Sequence, residues 1–347
     1  MLGAKDRMKG AWWGAFVADA LSMPVHGYAT RDSIEKDYGY ISDMQAPKEP
    51  YRDFVLAGFP TSEMPKEFDY IGDERRQDWT RITTHPHKHL KAGENTLPML
   101  LALHQAISIS ESDGFNLDAW MTRYRAVMTS PNGHRDTFIP SIHRRYFENL
   151  AKGKDPESNG CPDAHISDII IFLPLIFTAY KNPKKTHEDL MKAVRNFSIG
   201  ENTLNTTLFL MEVFFHIFSG VKLEDALYKK MNPDRHYALA YPYRRWIKAA
   251  NDDESMAQQI GRTAELDKAI VLSIYLALKY GDDYESAIVA NANIGGETTG
   301  RGALIGSLIA GQYGSQCIPA KWGDKLVYSG EIAACGNALL NYVFKNI

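Results

Sequence analysis

A glycine-rich run, Asn293-Ile-Gly-Gly-Glu-Thr-Thr-Gly-Arg-Gly, leads straight into an apolar helical pattern that continues to Gly314. Glycines just ahead of a helix expose backbone N–H groups, here around Gly295, Gly296 and Thr298, that favour an anion. They also set Glu297 and Thr298 at the positive end of the helix dipole. A second polar cluster, Gly93-Glu-Asn-Thr, opens another helical pattern at Leu97. Two such helix starts facing each other could hold a divalent cation between oxygen ligands. The two carboxylates, Glu94 and Glu297, could instead serve as acid and base in glycosidic hydrolysis. Taken alone, Glu297 reads equally well as a plain helix-start carboxylate.

Two further groups have the right residue types for chemistry. His85-Pro-His87-Lys-His89 places three imidazoles at alternate positions, which suits a transition metal only if the segment is extended. A solvated loop is the favoured reading, ahead of substrate contact and metal binding. Asp136, after His134 and Arg135, has no assigned partner, and structural capping is favoured over catalysis.

The elements that must position these residues are helical. Apolar residues recur at helical spacing through most of the chain, and hairpin signals are few. Helices are expected near 8–22, 96–109, 116–128, 138–151, 165–181, 187–197, 203–218, 223–230, 266–280, 283–292, 300–313 and 331–345. Five prolines between Tyr28 and His89 predict an irregular excursion over 28–89. The expected architecture is all-α, one multi-helix domain over 1–347. Small residues fall every fourth position at Gly10, Gly14 and Ala18, and again at Gly302, Gly306, Ala310 and Gly314. Glycine inside a helix costs about 1 kcal/mol relative to alanine, so the two stripes predict close packing at the centre. Gly-Glu-Asn-Thr recurs at Gly200 to Thr203, with no wider similarity, and reads as a second helix start.

Composition narrows the function classes. Across 347 residues, 39 Lys and Arg against 42 Asp and Glu give a net charge of −3, with no basic-aromatic stripe for nucleic acid. A small-molecule ligand is expected, with no nucleic-acid or membrane partner. Three scattered cysteines fit neither a disulfide framework nor a thiolate zinc site, and no signal peptide is read, so a cytoplasmic location is expected. The longest apolar run, 169–179, falls short of the roughly 18 to 20 residues of a membrane span.

These motifs together resemble the ADP-ribosylglycohydrolases, the family that includes the dinitrogenase reductase-activating glycohydrolases. The likeness begins at Gly10-Ala-Trp-Trp-Gly-Ala-Phe-Val-Ala-Asp-Ala-Leu-Ser-Met-Pro-Val-His, resumes at Gly93 to Leu97, and continues through Ser158-Asn-Gly and Thr186-His187. It ends with Asn293 to Gly314 and Ile318-Pro-Ala-Lys-Trp. The resemblance implies an all-α fold with a central cleft holding two magnesium ions. These would position the ribose of ADP-ribose while its bond to a protein side chain or another acceptor is hydrolysed. It also implies ligand contacts at Asn159, Gly160 and His187.

The chain departs from the family where metals matter. The family's Ser/Thr-Asp-Asp-Thr is Gly93-Glu-Asn-Thr here, and its Gly-Gly-Asp-x-Asp-Thr is Gly295-Gly-Glu-Thr-Thr-Gly. Four metal-facing carboxylates thus become two, and the metal ligands the resemblance implies are Glu94, Asn95, Glu297 and Thr299, so at most one magnesium ion is expected, with a water-bridged site and no ion as the alternative. His26 stands where the family often has a glutamate near the scissile bond, and an imidazole there is a candidate general base. The catalytic set expected from the resemblance is His26, Glu94 and Glu297, and the substrate-binding set is Asn159, Gly160, His187, Gly295, Gly296 and Thr298. The expected function is hydrolysis of a glycosidic bond of ADP-ribose or a related ribosyl substrate with an altered metal site. The alternative is a non-catalytic ADP-ribose-binding or structural member of the same family.

Overall fold

Local signals set the helix boundaries in the computed structural model, which describes residues 2–49, 68–71, 75, 78, 84–249 and 252–345. Helix α1 (Ala4–Ser22) is followed by α2 (Arg31–Tyr38), α3 (Leu97–Glu111), α4 (Leu117–Thr129), α5 (Ser141–Ala151), α6 (Ile166–Ile170) and α7 (Leu173–Phe177). Then come α8 (Pro183–Arg195), α9 (Glu201–Phe218), α10 (Tyr243–Lys248), α11 (Asp253–Ile260), α12 (Leu266–Tyr280), α13 (Tyr284–Ile294), α14 (Thr298–Tyr313) and α15 (Ser329–Phe344). The described residues contain no strand, only isolated bridges between Cys161 and Ser198 and between His165 and Glu265. No helix among them is long and apolar enough to cross a membrane.

Helices α1 and α14 form the centre. From Thr298 to Gly311 every residue of α14 is buried, and α1 is buried continuously from Gly14 to Ser22. A helix covered on all sides belongs inside a helical assembly, which both sequences indicate by lacking a polar face. The small-residue stripes meet as expected. A Cβ on Gly14 would lie 2.8 Å from Ala310 Cβ, and one on Gly306 would lie 2.8 Å from Ala18 Cβ. Helices α12, α13 and α15 pack around this pair.

The segment 28–89 is not wholly irregular. It contains α2, whose N-cap Thr30 accepts a hydrogen bond from Ser33 N and whose end is Gly39 at φ 69°. These are ordinary start and stop signals that the proline-rich surroundings obscured. The expected helix over 165–181 is in fact α6, α7 and a 3-10 turn at Thr178–Tyr180, because Pro174 restarts the chain at the head of α7. The expected 223–230 helix is a single turn followed by a π-turn at Ala226–Lys230. Helices α10 and α11 were not expected.

Candidate functional site

The end of α1 and the start of α14 are stitched together by backbone. Gly27 N donates to Gly296 O at 2.8 Å, Gly296 N donates to Tyr28 O at 2.7 Å, and Glu297 N donates to Arg262 O at 2.9 Å. Gly295 and Gly296 take φ values of 79° and 72°, a region that other residues rarely enter. Beneath the turn, Arg301 is fully buried and donates to Gly295 O, Arg262 O and Asn291 Oδ1. Burial pulls its guanidinium down to about 9, which still leaves it charged at neutral pH.

These contacts correct one expectation. The N–H groups of the glycine turn are not open to an anion: Gly296 and Glu297 use theirs on Tyr28 and Arg262, Thr298 N donates to Gly296 O, and Gly300 N donates to Glu297 Oε1. Thr298 Oγ1 donates to Ser22 O and Thr299 Oγ1 to Glu297 Oε1. The chain's own carboxylate caps α14.

His26 follows the turn Met23–Val25 and is held beside Glu297, with Nε2 2.7 Å from Glu297 Oε2. Its other nitrogen, Nδ1, lies 2.6 Å from His87 Nε2, and His87 Nδ1 lies 2.7 Å from Asp136 Oδ1. The two rings stack at 4.9 Å, and Phe138 meets both edge-on. The result is an unbroken buried chain, Asp136–His87–His26–Glu297. Sequence reasoning found its two ends and His26 but not the connection. The expectation of a solvated loop fails at His85 and His87, both 0% exposed, because the segment turns inward instead of extending. His85 accepts from His87 N at Nδ1, so its Nε2 donates to Pro24 O, and burial holds it neutral, well below the ordinary imidazole range.

The protonation of the chain follows from its geometry. Burial would raise Glu297, but His26 and the donors Gly300 N and Thr299 Oγ1 outweigh it and bring the carboxyl down to about 2. Burial likewise opposes ionisation of Asp136, and His87 with Leu97 N overcomes it and leaves the group below the usual carboxylate range. Burial lowers His87, against the pull of Asp136. Each of the three links needs one proton, and ionised carboxylates supply none. Three protons on the four ring nitrogens would complete the links, and burial opposes the extra charge at His87. Below them the charged Arg301 also acts on Glu297, a favourable pairing for a buried carboxylate.

Asp136 also accepts from Leu97 N at 2.8 Å and so anchors the start of α3, the structural role expected for it. The preceding Gly93-Glu-Asn-Thr segment is held by Asp19 of α1, which accepts from Thr96 Oγ1 at 2.6 Å, Thr96 N at 2.9 Å and Asn95 Nδ2 at 2.9 Å. Burial pushes Asp19 up to about 6 even though these donors favour its ionised form. A lone aspartate between Ala18 and Ala20 in an apolar helix was the signal for it. Glu94 accepts from Lys91 N, Arg135 Nη1 and Tyr328 OH. It lines a cavity of about 410 Å³ with Asn95, His134, Arg135 and Asp136. The cavity thus meets the Asp136 end of the chain, and Glu94 shares none of its hydrogen-bond partners with Glu297.

The residues do not fit a pair of magnesium ions. Both oxygens of Glu297 and both of Glu94 are occupied by internal donors, and Thr299 Oγ1 is itself a donor to Glu297. Among the described residues no three His, Cys, Asp or Glu side chains are gathered as a metal site. Asn159, Gly160 and His187 lie outside the chain of hydrogen bonds. Asn159 is half-buried and donates to Asp155 O, Gly160 packs against Phe197 O, and His187 is half-buried on α8, which packs on α7 and α9.

Comparisons with known proteins bear on this arrangement. A family profile described as ADP-ribosylglycohydrolase matches residues 2–346. Crystallin J1A of Tripedalia cystophora is 22% identical over 333 residues, covering 95% of this chain and 94% of that one. Crystallin J1B of the same animal is 21% identical over 341 residues, with 94% of each chain covered. A solved structure described as an ADP-ribosylglycohydrolase-related protein complex superposes with a TM-score of 0.64 at 20% identity, over 99% of this chain and 100% of that one. The last likeness shows the shared fold.

Proposed function

Because the chain belongs to the ADP-ribosylglycohydrolase family, we propose that it hydrolyses the glycosidic bond of an ADP-ribosyl or related ribosyl substrate at a centre where imidazole replaces metal. Family membership supports the glycohydrolase-type reaction. The observation that carries the finer reading is the buried chain Asp136–His87–His26–Glu297, in which Glu297 stands where the family resemblance implies a metal-facing carboxylate and His26 where it implies a glutamate near the scissile bond. An ionised, oriented carboxylate next to a forming oxocarbenium ion stabilises its positive charge and orients the attacking water. Glu297 has that character, because His26, Gly300 N and Thr299 hold it ionised. His26 acts through Glu297 in this reading: both its nitrogens are engaged, so it positions and balances the carboxylate instead of taking the water's proton itself.

The test is release of ADP-ribose from ADP-ribosylated protein, measured for the unmodified chain and for Glu297→Gln, His26→Ala and Glu94→Gln. Glu297→Gln should lower kcat by about 10²–10³-fold, the usual loss of one electrostatic stabiliser. Rates unchanged by all three substitutions would remove the catalytic assignment. A second reading, ADP-ribose binding without turnover, is favoured by one observation: His26 and Glu297 are 1% and 2% exposed. Tight ADP-ribose binding with no release of product would select it.

A further inference from the structure

The cavity of about 410 Å³ beside Glu94 has no part in the reaction described above. We propose that it is a second ligand site, built for an amphipathic organic cation, a primary ammonium group on an apolar body. The inference goes beyond the hydrolase reading and does not depend on it.

Two helices wall the cavity. From α3 come Leu100, Leu103, His104 and Ile107, and from the first two turns of α15 come Glu331, Ala334 and Cys335. Spacings of three, four and seven place each set on one face of its helix. Leu100 and Ile107 are only half-buried and Ala334 is exposed, so part of this hydrocarbon surface faces the cavity and not a packed neighbour. Apolar walls with a few convergent polar groups, at this volume, are the usual form of a small-molecule site.

The polar groups gather around Tyr328, the N-cap of α15. Its hydroxyl donates to Glu94 Oε1 at 3.4 Å and lies within electrostatic reach of Arg135 and Glu331. Of the three carboxylates on the wall, Asp136 is engaged by His87 and Glu94 by Arg135. Glu331 is exposed and pairs with no cation among the described residues. The two imidazoles on the wall add no charge, because burial brings His104 and His134 each down to about 4.

A second uncommitted acceptor lies beside Glu94. Asn95 lines the cavity and is 7% exposed. Its Nδ2 donates to Phe16 O and Asp19 Oδ2 of α1, while Oδ1, the other arm of the same amide, has no hydrogen-bond partner. An amide oxygen only accepts, so the group that satisfies it is a donor. An ammonium carries three donors and no acceptor. It answers Asn95 Oδ1 and Glu331 together and leaves its apolar body against α3 and α15. An anion would meet three carboxylates, with Arg135 already committed to one of them.

The experiment is calorimetric titration of the whole chain with three probes of one shape: 4-phenylbutylamine, 4-phenylbutan-1-ol and 4-phenylbutyrate. The amine should bind about tenfold tighter than the alcohol, the worth of one charge-assisted contact, and the carboxylate should not bind. Glu331→Gln should weaken the amine by about 3- to 10-fold and leave the alcohol unchanged. Ala334→Trp, which fills the cavity from its wall, should abolish binding of both. The two substitutions fall at exposed positions, so each reads binding where the other disturbs the fold. Equal affinity for amine and alcohol, a preference for the carboxylate, or amine binding unchanged in both variants would overturn the proposal. Release of ADP-ribose is a separate measurement: a chain that binds the amine as described and hydrolyses nothing loses the hydrolase reading and keeps this site.

Discussion

Glu297 and His26 are each buried to within 2% of full coverage and bonded to one another. Removing one partner of such a pair strands the other's charge without water, whereas exchanging both for neutral groups is far milder. His26→Ala should therefore lower the stability of the fold by about 3–5 kcal/mol in urea unfolding. Adding Glu297→Gln to that variant should recover part of the loss, since the two residues are coupled. A loss below about 1 kcal/mol for His26→Ala would mean that the pair is not charged as argued. The sequence pointed to His26 and Glu297 separately, through the turn glycines and the family resemblance. It could not reveal His87 as the link, because the contacts His26–His87 and His87–Asp136 span 61 and 49 positions and leave no periodic trace.

Glu297 caps α14 and His26 follows the turn at the end of α1, so the close approach of these two helices governs the site. The stripe of small residues made that approach legible: Gly10, Gly14, Gly302 and Gly306 all face backbone or small side chains of the opposing helix. In an open helical position Gly→Ala gains about 1 kcal/mol. At Gly306 the added Cβ would lie 2.8 Å from Ala18 Cβ and 2.9 Å from Gly14 C, neither of which can swing aside. Gly306→Ala should instead destabilise by about 1–3 kcal/mol. Gly330 in α15 has nothing within 4 Å of such a Cβ, and Gly330→Ala should be neutral or slightly stabilising. Thermal unfolding of the two variants decides the point, and equal melting temperatures would contradict the packing argument. Helix interruptions were less legible: Pro174 at the head of α7 splits an apolar run that is otherwise continuous from Ile166 to Ala179 apart from Ser167, Asp168 and Thr178.

At the scale of the whole molecule, the all-α class followed from helical periodicity, and the family from motifs spread from Gly10 to Trp322. What motifs could not convey is how the substituted positions satisfy one another. Glu94 and Glu297 kept carboxylates, which by type alone suggest metal ligands, yet the fold gives each its own internal donors. The glycine turn reads as an anion cradle by composition, and long-range pairing to Tyr28 and Arg262 consumes its N–H groups. Such exchanges depend on which distant loop arrives at the site, information that residue type and spacing do not hold.

The central claim is that a chain of shared protons, and not a pair of magnesium ions, holds the charge at this centre. Its most direct test is the rate of ADP-ribose release from an ADP-ribosylated protein by the metal-stripped chain, measured in chelator and then in millimolar magnesium. The account predicts the same rate in both, with Glu297→Gln slow in both. A rate that vanishes in chelator and returns with magnesium would contradict it.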